Sequence, residues 1–376
     1  MEVTMQSDRV EFLFLSQEEM IEAGVLDMSN CLKTMEEAFR LVGEGDFLMS
    51  GPTQSEHGTR IWFPSEPAGP RMPVYGPDRR FMALVGYLGG DYHVAGEKWY
   101  GSNIENPVKH GLPRSVLMVV LNDPDTCAPL AVMDGNLISS MRTGAVIGLG
   151  AKYLSGPGAN TAGIVGAGII SKTCLMAIAA AVPSIRQVKV LDIDLGRAKT
   201  FAEEMGKELG LDVRPVSTLK ELVEGSDVVS TAAAGETLPK FSASWLKEGA
   251  FLGISDHSTV EENLWLSCRI VADYWPMHLS WRNDKERLTV NVPWTPMHWP
   301  LHQIILSGRL KDSDIINLGD VVSGKISRVE AAKGRTIMAT GGMVIEDLAW
   351  GWKIYRQASE KGLGNKLKLW EKFHWS

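Results

Sequence analysis

The stretch at 161–194, TAGIVGAGIISKTCLMAIAAAVPSIRQVKVLDID, constrains the fold of this chain more than any other. Gly163, Ile164 and Val165 form a bounded apolar run, the pattern of a strand buried on both faces of a parallel sheet. Gly166 and Gly168 follow at once, and the next run, rich in Ala, Ile and Met, suits a buried helix. A second strand, Val188 to Leu191, ends at Asp192. Glycines at such a turn let the backbone approach a pyrophosphate, which the helix N-terminus holds through free N–H groups and its dipole. An acid at the end of the second strand can accept hydrogen bonds from a ribose hydroxyl. Ser171 replaces the third glycine of the usual fingerprint, so a strand–turn–helix without nucleotide stays open on the motif alone. The strand on one side and the acid on the other favour a dinucleotide.

A chain of 376 residues has room for two ordinary domains, and 44% hydrophobic with 22% charged residues describes a soluble protein with ample core. A net charge of −7 argues against nucleic-acid or anionic-membrane partners. No apolar run is long enough to span a bilayer, and the N-terminus lacks the basic region and apolar segment of a secretory signal. Cys31, Cys127, Cys174 and Cys268 lie far apart without CxxC spacing, and read as buried free thiols in a reducing cytoplasm. Six of the twelve tryptophans fall between Trp245 and Trp299, which marks that part of the chain as unusual.

FLFL reads as a strand followed by a helix start at Ser16, and Leu32, Met35, Phe39 and Val42 share one side of a second helix over 29–42. Residues 50–80 read as loops with short strands. FMALVGYLGG, RSVLMVVLND and APLAVMDG alternate like strands, the last two joined as a hairpin. A helix is expected from about Ser139 to Leu154. From 161 to 273 strands and helices alternate, with DVVSTAAA and AFLGIS as later parallel strands, so a doubly wound α/β sheet is expected. Residues 274–310 break that rhythm with Pro, His and Trp; helices at 314–323 and 342–361 and a short basic-aromatic tail follow. The expected division is 1–140 with 341–376 as a substrate and dimerisation half, and 141–340 as the nucleotide half.

Three segments carry candidate chemistry. Lys98, at a strand end, suits a substrate carboxylate or acid/base work, or is simply a solvated strand-end lysine. Arg142, placed near a helix start among small residues, needs an anion there: a bound carboxylate, or an internal Asp or Glu. Asp256 follows a strand of the nucleotide half on the edge facing the cofactor, where an acid/base group meets substrate. An N-cap role for Asp256 is the alternative, and His257 and Glu261 are neighbouring candidates. His298 and His302 are four apart, but Pro300 lies between them and no third ligand stands at zinc spacing, so no metal is expected.

AGEKW at 95–99, LNDPDTCAPLAVMDG at 121–135, SSMRTGAV at 139–146, GIVGAGIISK at 163–172, LGD with SGK at 318–325, and GGMVIEDLAWG at 341–351 together resemble the ornithine cyclodeaminase/mu-crystallin family. A narrower likeness, in KWYGSNIENP, LPRS and LISSMRT, is to amino-carboxyethyl-glutamate dehydrogenases of diaminopropionate biosynthesis. The resemblance implies a Rossmann domain, an α/β substrate domain that dimerises through its strands, and hydride transfer at an amino-acid carbon through an imine. It makes Lys98 the active-site lysine and Arg142 the carboxylate-binding arginine. Asp256 becomes the acid/base aspartate. An earlier substrate arginine has Arg60, Arg71, Arg79 and Arg80 as candidates, with Arg60 preferred. The cofactor contacts expected are Gly166, Gly168, Ile169, Ile170, Asp192, Thr231 and Ala232. Asp192 welcomes a 2′-hydroxyl and repels a 2′-phosphate, and Arg197 stands a turn away, so NAD is expected rather than NADP. The expected activity is an NAD-dependent oxidoreductase acting on the C–N bond of an amino acid or an N-substituted, opine-like amino acid. A redox-neutral cyclodeaminase that releases ammonia, and a non-catalytic nucleotide-dependent binder, are the competing readings. TIMAT before GGMVIED and the Trp-rich 274–307 depart from the family pattern, which puts ornithine in doubt as substrate and predicts tryptophans around the pocket.

Overall fold

Alternation along the antiparallel strands leaves one face of the first sheet for the core and the other open. In Arg80–Leu88, Met82, Leu84 and Leu88 are buried, whereas Phe81 and Val85 are exposed. This computed structural model describes residues 9–374, apart from 77, 235–237, 290, 291 and 293. The expectation of no secretory signal rests partly on residues 1–8, which lie outside the described residues.

The first sheet runs in the order Asn365–Trp370, Val10–Leu15, Pro129–Asp134, Ser115–Asn122, Val94–Ser102, Arg80–Leu88 and Phe47–Met49, with Thr59–Trp62 also paired to Arg80–Leu88. The expected hairpin is present, Met118 facing Asp134 across an antiparallel ladder. The tail expected after the last helix is an edge strand, antiparallel to Val10–Leu15. Helix Met28–Glu44 buries Leu32, Met35, Phe39 and Val42, and helix Val344–Lys361 packs across the buried face of the sheet.

The second sheet is parallel throughout, ordered Asp212–Pro215, Gln187–Leu191, Thr161–Val165, Val228–Thr231, Phe251–Ile254, Thr336–Ala339, Arg269–Ala272 and Ile316–Asn317. The first strand in sequence lies inside the sheet, and the order reverses beside it. That is the doubly wound arrangement, with its ligand crevice at the carboxyl ends of the strands around the reversal. All five residues of Thr161–Val165 are buried.

Helix Gly135–Leu154 joins the two sheets and packs on helix Ile169–Ala181. It starts four residues earlier than the expected Ser139, because the Asp134 carboxylate accepts from the Leu137 amide at 2.9 Å. Arg142 therefore sits about two turns into the helix, not at its start. The helix expected at 314–323 is only Leu318–Val322, since Ile316–Asn317 is drawn into the sheet edge. Residues 274–310 are more regular than their composition implies, with helices Trp275–Arg287 and Trp299–Leu306 each carrying Pro in the first turn, where its missing N–H costs nothing. Two cysteines correct the reading of buried thiols: Cys127 is exposed, in a tight turn at φ 60°, and Cys268 is only partly buried. No helix among the described residues is long and apolar enough to cross a membrane.

Candidate active site

The glycine turn opens the crevice. Gly166 has φ 91°, in the left-handed region that favours glycine, and its amide donates to Leu191 O at 2.7 Å. Nothing lies within 4 Å of the position a Cβ on Gly168 would take. Helix Ile169–Ala181 begins there without a side-chain cap, so its first amides face an open space. Ser171 is buried, and its Oγ would stand 3.2 Å from a Cβ on Gly166. Serine thus does the close packing that the third glycine does elsewhere. Ile169 is exposed at the mouth of the turn and Ile170 is partly buried behind it. Asp192 accepts from Ala167 N at 2.8 Å and Asp194 N at 2.9 Å, which fixes its carboxylate beside the turn with lone pairs to spare. Ala232 N bonds Val165 O at 3.1 Å, at the end of the neighbouring strand. An open glycine cradle, uncapped helix amides and a fixed acid fit a dinucleotide.

On the first sheet, Lys98 points to the buried face, opposite Leu84 on one side and Val119 on the other. It is not a solvated strand end: it is 2% exposed, and its Nζ donates to Asp347 Oδ2 at 2.7 Å. Arg142 reaches the same carboxylate, Nε to Asp347 Oδ1 at 3.3 Å, and its Nη1 donates to Glu346 Oε2 at 2.6 Å. Two cations and two acids thus meet in a site almost closed to water. The sequence reading did not include Glu346 and Asp347. The signal was there, since two adjacent acids opening an apolar helix must either face solvent or find cations. The turn before them is equally constrained. Gly342 has φ 81°, and a Cβ there would come within 2.3 Å of Arg142 Nη1. Asp273 holds that turn, accepting from the amides of Gly341 and Gly342 at 2.6 and 2.8 Å, and is itself hydrogen bonded to His278 Nε2 at 2.7 Å.

Burial dominates the titration of this cluster. Burial, followed by the charge of Arg142, brings the Lys98 ammonium down to about 8, against the pull of Asp347. Burial pushes the Glu346 carboxyl up to about 7, with Arg142 opposing it. Burial also works against charge on Arg142, but Asp347 and Glu346 outweigh it and raise its pKa. With a proton on Glu346, two cations face one carboxylate, which favours a further anion. Two Lys98 protons and the Arg142 Nη2 edge remain as donors, Nη2 having only a 3.5 Å contact with Ser139 Oγ. A substrate carboxylate is therefore expected to bind less tightly as pH rises through about 8, where Lys98 loses its charge. The KM of the carboxylate substrate against pH measures this. Lys98 titrates lower folded than unfolded, so between about 8 and 10.5 the unfolded chain holds the extra proton and this group makes stability rise with pH.

Asp256 lies just past strand Phe251–Ile254 and is 7% exposed. Its Oδ2 accepts from Thr231 Oγ1 at 2.7 Å and Ala233 N at 2.5 Å, and its Oδ1 from Ser258 N at 2.7 Å. Among the described residues no hydrogen bond or ion pair joins it to Lys98 or Arg142. His257 faces the first sheet: after burial and Asp256, the groups acting on it are Arg80, Arg114 and Asp78. Glu261 points elsewhere, accepting from Ser242 Oγ and Ala243 N at 2.8 and 3.2 Å.

Of the earlier arginine candidates, Arg79 pairs with Glu105 at 2.9 Å and Arg80 pairs with Asp78. Arg71 is exposed. Among the described residues Arg60 has no salt bridge; it lines a cleft with Trp62, Trp294 and Asp284, its guanidinium 5.5 Å from the Trp62 ring and 4.9 Å from Trp294. Trp281 packs edge-on to His57 at 4.9 Å. Of the Trp-rich segment, Trp294 lines the cleft with Arg60, whereas Trp281 is buried in the core and Trp275 stacks on His278 and His302 at 5.4 and 5.1 Å. Burial, followed by His278, drives the ionisation of both His298 and His302 down to about 3.

The family model of the ornithine cyclodeaminase/mu-crystallin family matches residues 13–362. The chain belongs to that family. It is 29% identical over 294 residues to the N-((2S)-2-amino-2-carboxyethyl)-L-glutamate dehydrogenase of Staphylococcus aureus, covering 77% of this chain and 82% of that protein. It is 28% identical over 370 residues to the alanine dehydrogenase of Archaeoglobus fulgidus, covering 96% of this chain and 99% of that one. Its structure matches that of Thermococcus litoralis Delta(1)-pyrroline-2-carboxylate reductase in complex with NADH and L-proline at a TM-score of 0.78 and 26% identity, over 95% of this chain and all of that one. The family resemblance and the Rossmann architecture read from the sequence both hold.

Proposed function

We propose that this member of the family is an NAD-dependent oxidoreductase acting on the C–N bond of an amino acid or N-substituted amino acid through an imine. The observations that carry the reading are the pairing of Lys98 and Arg142 on the single carboxylate of Asp347 and the open glycine cradle at Gly168. The names of the relatives support the reaction class: dehydrogenases of amino acids and a reductase of a cyclic imine.

The free donors of Lys98 and Arg142 hold the substrate α-carboxylate. Gly166, Gly168, Ile169 and Ile170 would lie along the cofactor, Asp192 at its ribose, and Thr231 and Ala232 at the strand end beneath it. Bound NAD supplies the hydride acceptor or donor. Asp256 moves the proton at the amine nitrogen or at the water that opens the imine, and Thr231, Ala233 and Ser258 hold it for that task. Asp192 carries the preference for NAD over NADP through repulsion of a 2′-phosphate.

A homodimer fits the open face of the first sheet, where Phe14, Phe81, Val85, Val116 and Met118 are all exposed. The alanine dehydrogenase structure at a TM-score of 0.76 is described as a dimer with bound NAD. Four free cysteines suit the cytoplasm.

The test is a panel of amino acids, and of 2-oxo acids paired with amines, offered with NAD(H) and NADP(H) and followed by the absorbance of the reduced nicotinamide. A net change with NAD(H) and a smaller one with NADP(H) is expected. Ammonia release without net redox change would instead assign a cyclodeaminase.

A further inference from the structure

Asp273 follows strand Arg269–Ala272 and is fully buried. Four donors meet its carboxylate: the Gly341 and Gly342 amides on Oδ2, and Tyr274 N at 2.9 Å with His278 Nε2 at 2.7 Å on Oδ1. His278 comes from helix Trp275–Arg287, where Trp275 stacks on its ring and Trp281 meets it edge-on at 5.1 Å. Its Nδ1 is buried without a hydrogen-bond partner, so among the described residues the one polar contact of this imidazole is Asp273. The turn that Asp273 holds has no spare room. A Cβ on Gly341 would run into the Trp281 ring, and one on Gly342 into the Arg142 guanidinium. The next amide, Met343 N, donates to Glu346 Oε1 at 3.1 Å, and the other oxygen of Glu346 takes Arg142 Nη1. One short turn therefore touches the guanidinium both directly and through Glu346.

On the reading of the site given above, we propose that Asp273 and His278 are positioning residues for Arg142: through the Gly341–Gly342 turn they fix where the guanidinium presents its free edge, and so the affinity for the substrate α-carboxylate. They act through Arg142 and not on the substrate itself. A group misplaced by about 1 Å from its working geometry can cost about a hundredfold, so a support of this kind has a measurable effect. The charge of Asp273 works in the same direction. After burial and Arg142 it is the next influence on Glu346, and it favours the proton there, which leaves Arg142 and Lys98 with positive charge to spare for an incoming carboxylate. The first helix of the Trp-rich segment, on this account, acts behind the arginine.

Propionate, a carboxylate with no other polar group, is the probe, titrated into the NAD-bound protein labelled with 15N on arginine. The Arg142 Nε–H resonance, identified by its absence from Arg142→Lys, reports the guanidinium directly. His278→Phe keeps a ring between Trp275 and Trp281 but removes the donor, and His278→Gln keeps a donor without the ring. In His278→Phe the Arg142 resonance is expected to move and the propionate Kd and substrate KM to rise about tenfold, with kcat within about threefold and NAD affinity within about twofold of native. His278→Gln is expected to bring KM back to within about threefold of native. Asp273→Asn, whose amide cannot face four donors, is expected to raise KM by about a hundredfold. An unmoved Arg142 resonance with native propionate affinity in folded His278→Phe and Asp273→Asn overturns the proposal. So does an equal loss of kcat, propionate binding and NAD binding, which marks a general loosening. If the native chain ignores propionate while the Arg142 resonance still answers to His278→Phe, the positioning stands and the α-carboxylate site falls instead.

Discussion

Arg142→Met is expected to abolish measurable turnover and to destabilise the fold by about 3–5 kcal/mol, the cost of leaving a buried ion cluster without one partner. The guanidinium is 7% exposed and joins helix Gly135–Leu154 to the start of helix Val344–Lys361 through Glu346 and Asp347. Without it, Glu346 and Asp347 face Lys98 alone. Glu346, already raised to about 7 by burial, then protonates more readily, which softens the penalty below that pH. The loss of stability is therefore expected to be greater at pH 8 than at pH 6, a direction that denaturant titration at the two values checks. Arg142→Lys keeps one charge but cannot reach both acids, and is expected to be intermediate in stability while remaining catalytically impaired. Full activity in either variant would remove Arg142 from the substrate site.

Asp256→Asn is expected to lower kcat by about a hundredfold to ten-thousandfold, the usual share of a general acid or base. The cradle at Gly166 and Gly168 is untouched by this change, so NAD binding measured by calorimetry is expected to stay near the native value. The substitution is not silent for structure. Asp256 accepts two donors on one oxygen and Ser258 N on the other. An amide can turn its oxygen to Thr231 and Ala233, but its NH₂ group then opposes the Ser258 amide, at about 1–3 kcal/mol. Asp256→Ala removes that clash but leaves the Ala233 and Ser258 amides unpaired, at about 1–3 kcal/mol each, and the rate loss persists in the folded chain if the carboxylate moves protons. Native turnover in a folded Asp256→Ala chain would make Asp256 a strand-end cap and nothing more.

The glycine turn was legible because everything it needs is local. An apolar strand, two glycines, an apolar helix and an acid at the next strand end lie within one stretch of the sequence. Lys98, Arg142 and Asp256 could be chosen by residue type, place and likeness to the family. What joins the first two could not. Asp347 is 249 residues from Lys98 and 205 from Arg142, and local spacing says nothing about pairs so distant. The helix start expected at Ser139 lies instead at Gly135, where Asn136 accepts from Leu117 N at 2.8 Å and donates to Ser115 O at 2.7 Å, contacts to the hairpin that local spacing does not show. The strand in the basic-aromatic tail is not legible locally, since its exposed residues gain order only from pairing with Val10–Leu15. Arg60 was one of four arginine candidates, and only the two indole rings beside it set it apart.

Under the proposed function, hydride passes to the carbon of a C=N bond in a substrate whose α-carboxylate Lys98 and Arg142 hold. NADH deuterated at the transferring position, mixed with the protein, a 2-oxo acid and an amine, tests it directly by mass spectrometry of the amino-acid product. The expected result is one deuteron on the α-carbon, lost in Arg142→Met and Asp256→Ala. An amino-acid product without deuterium at that carbon would contradict it.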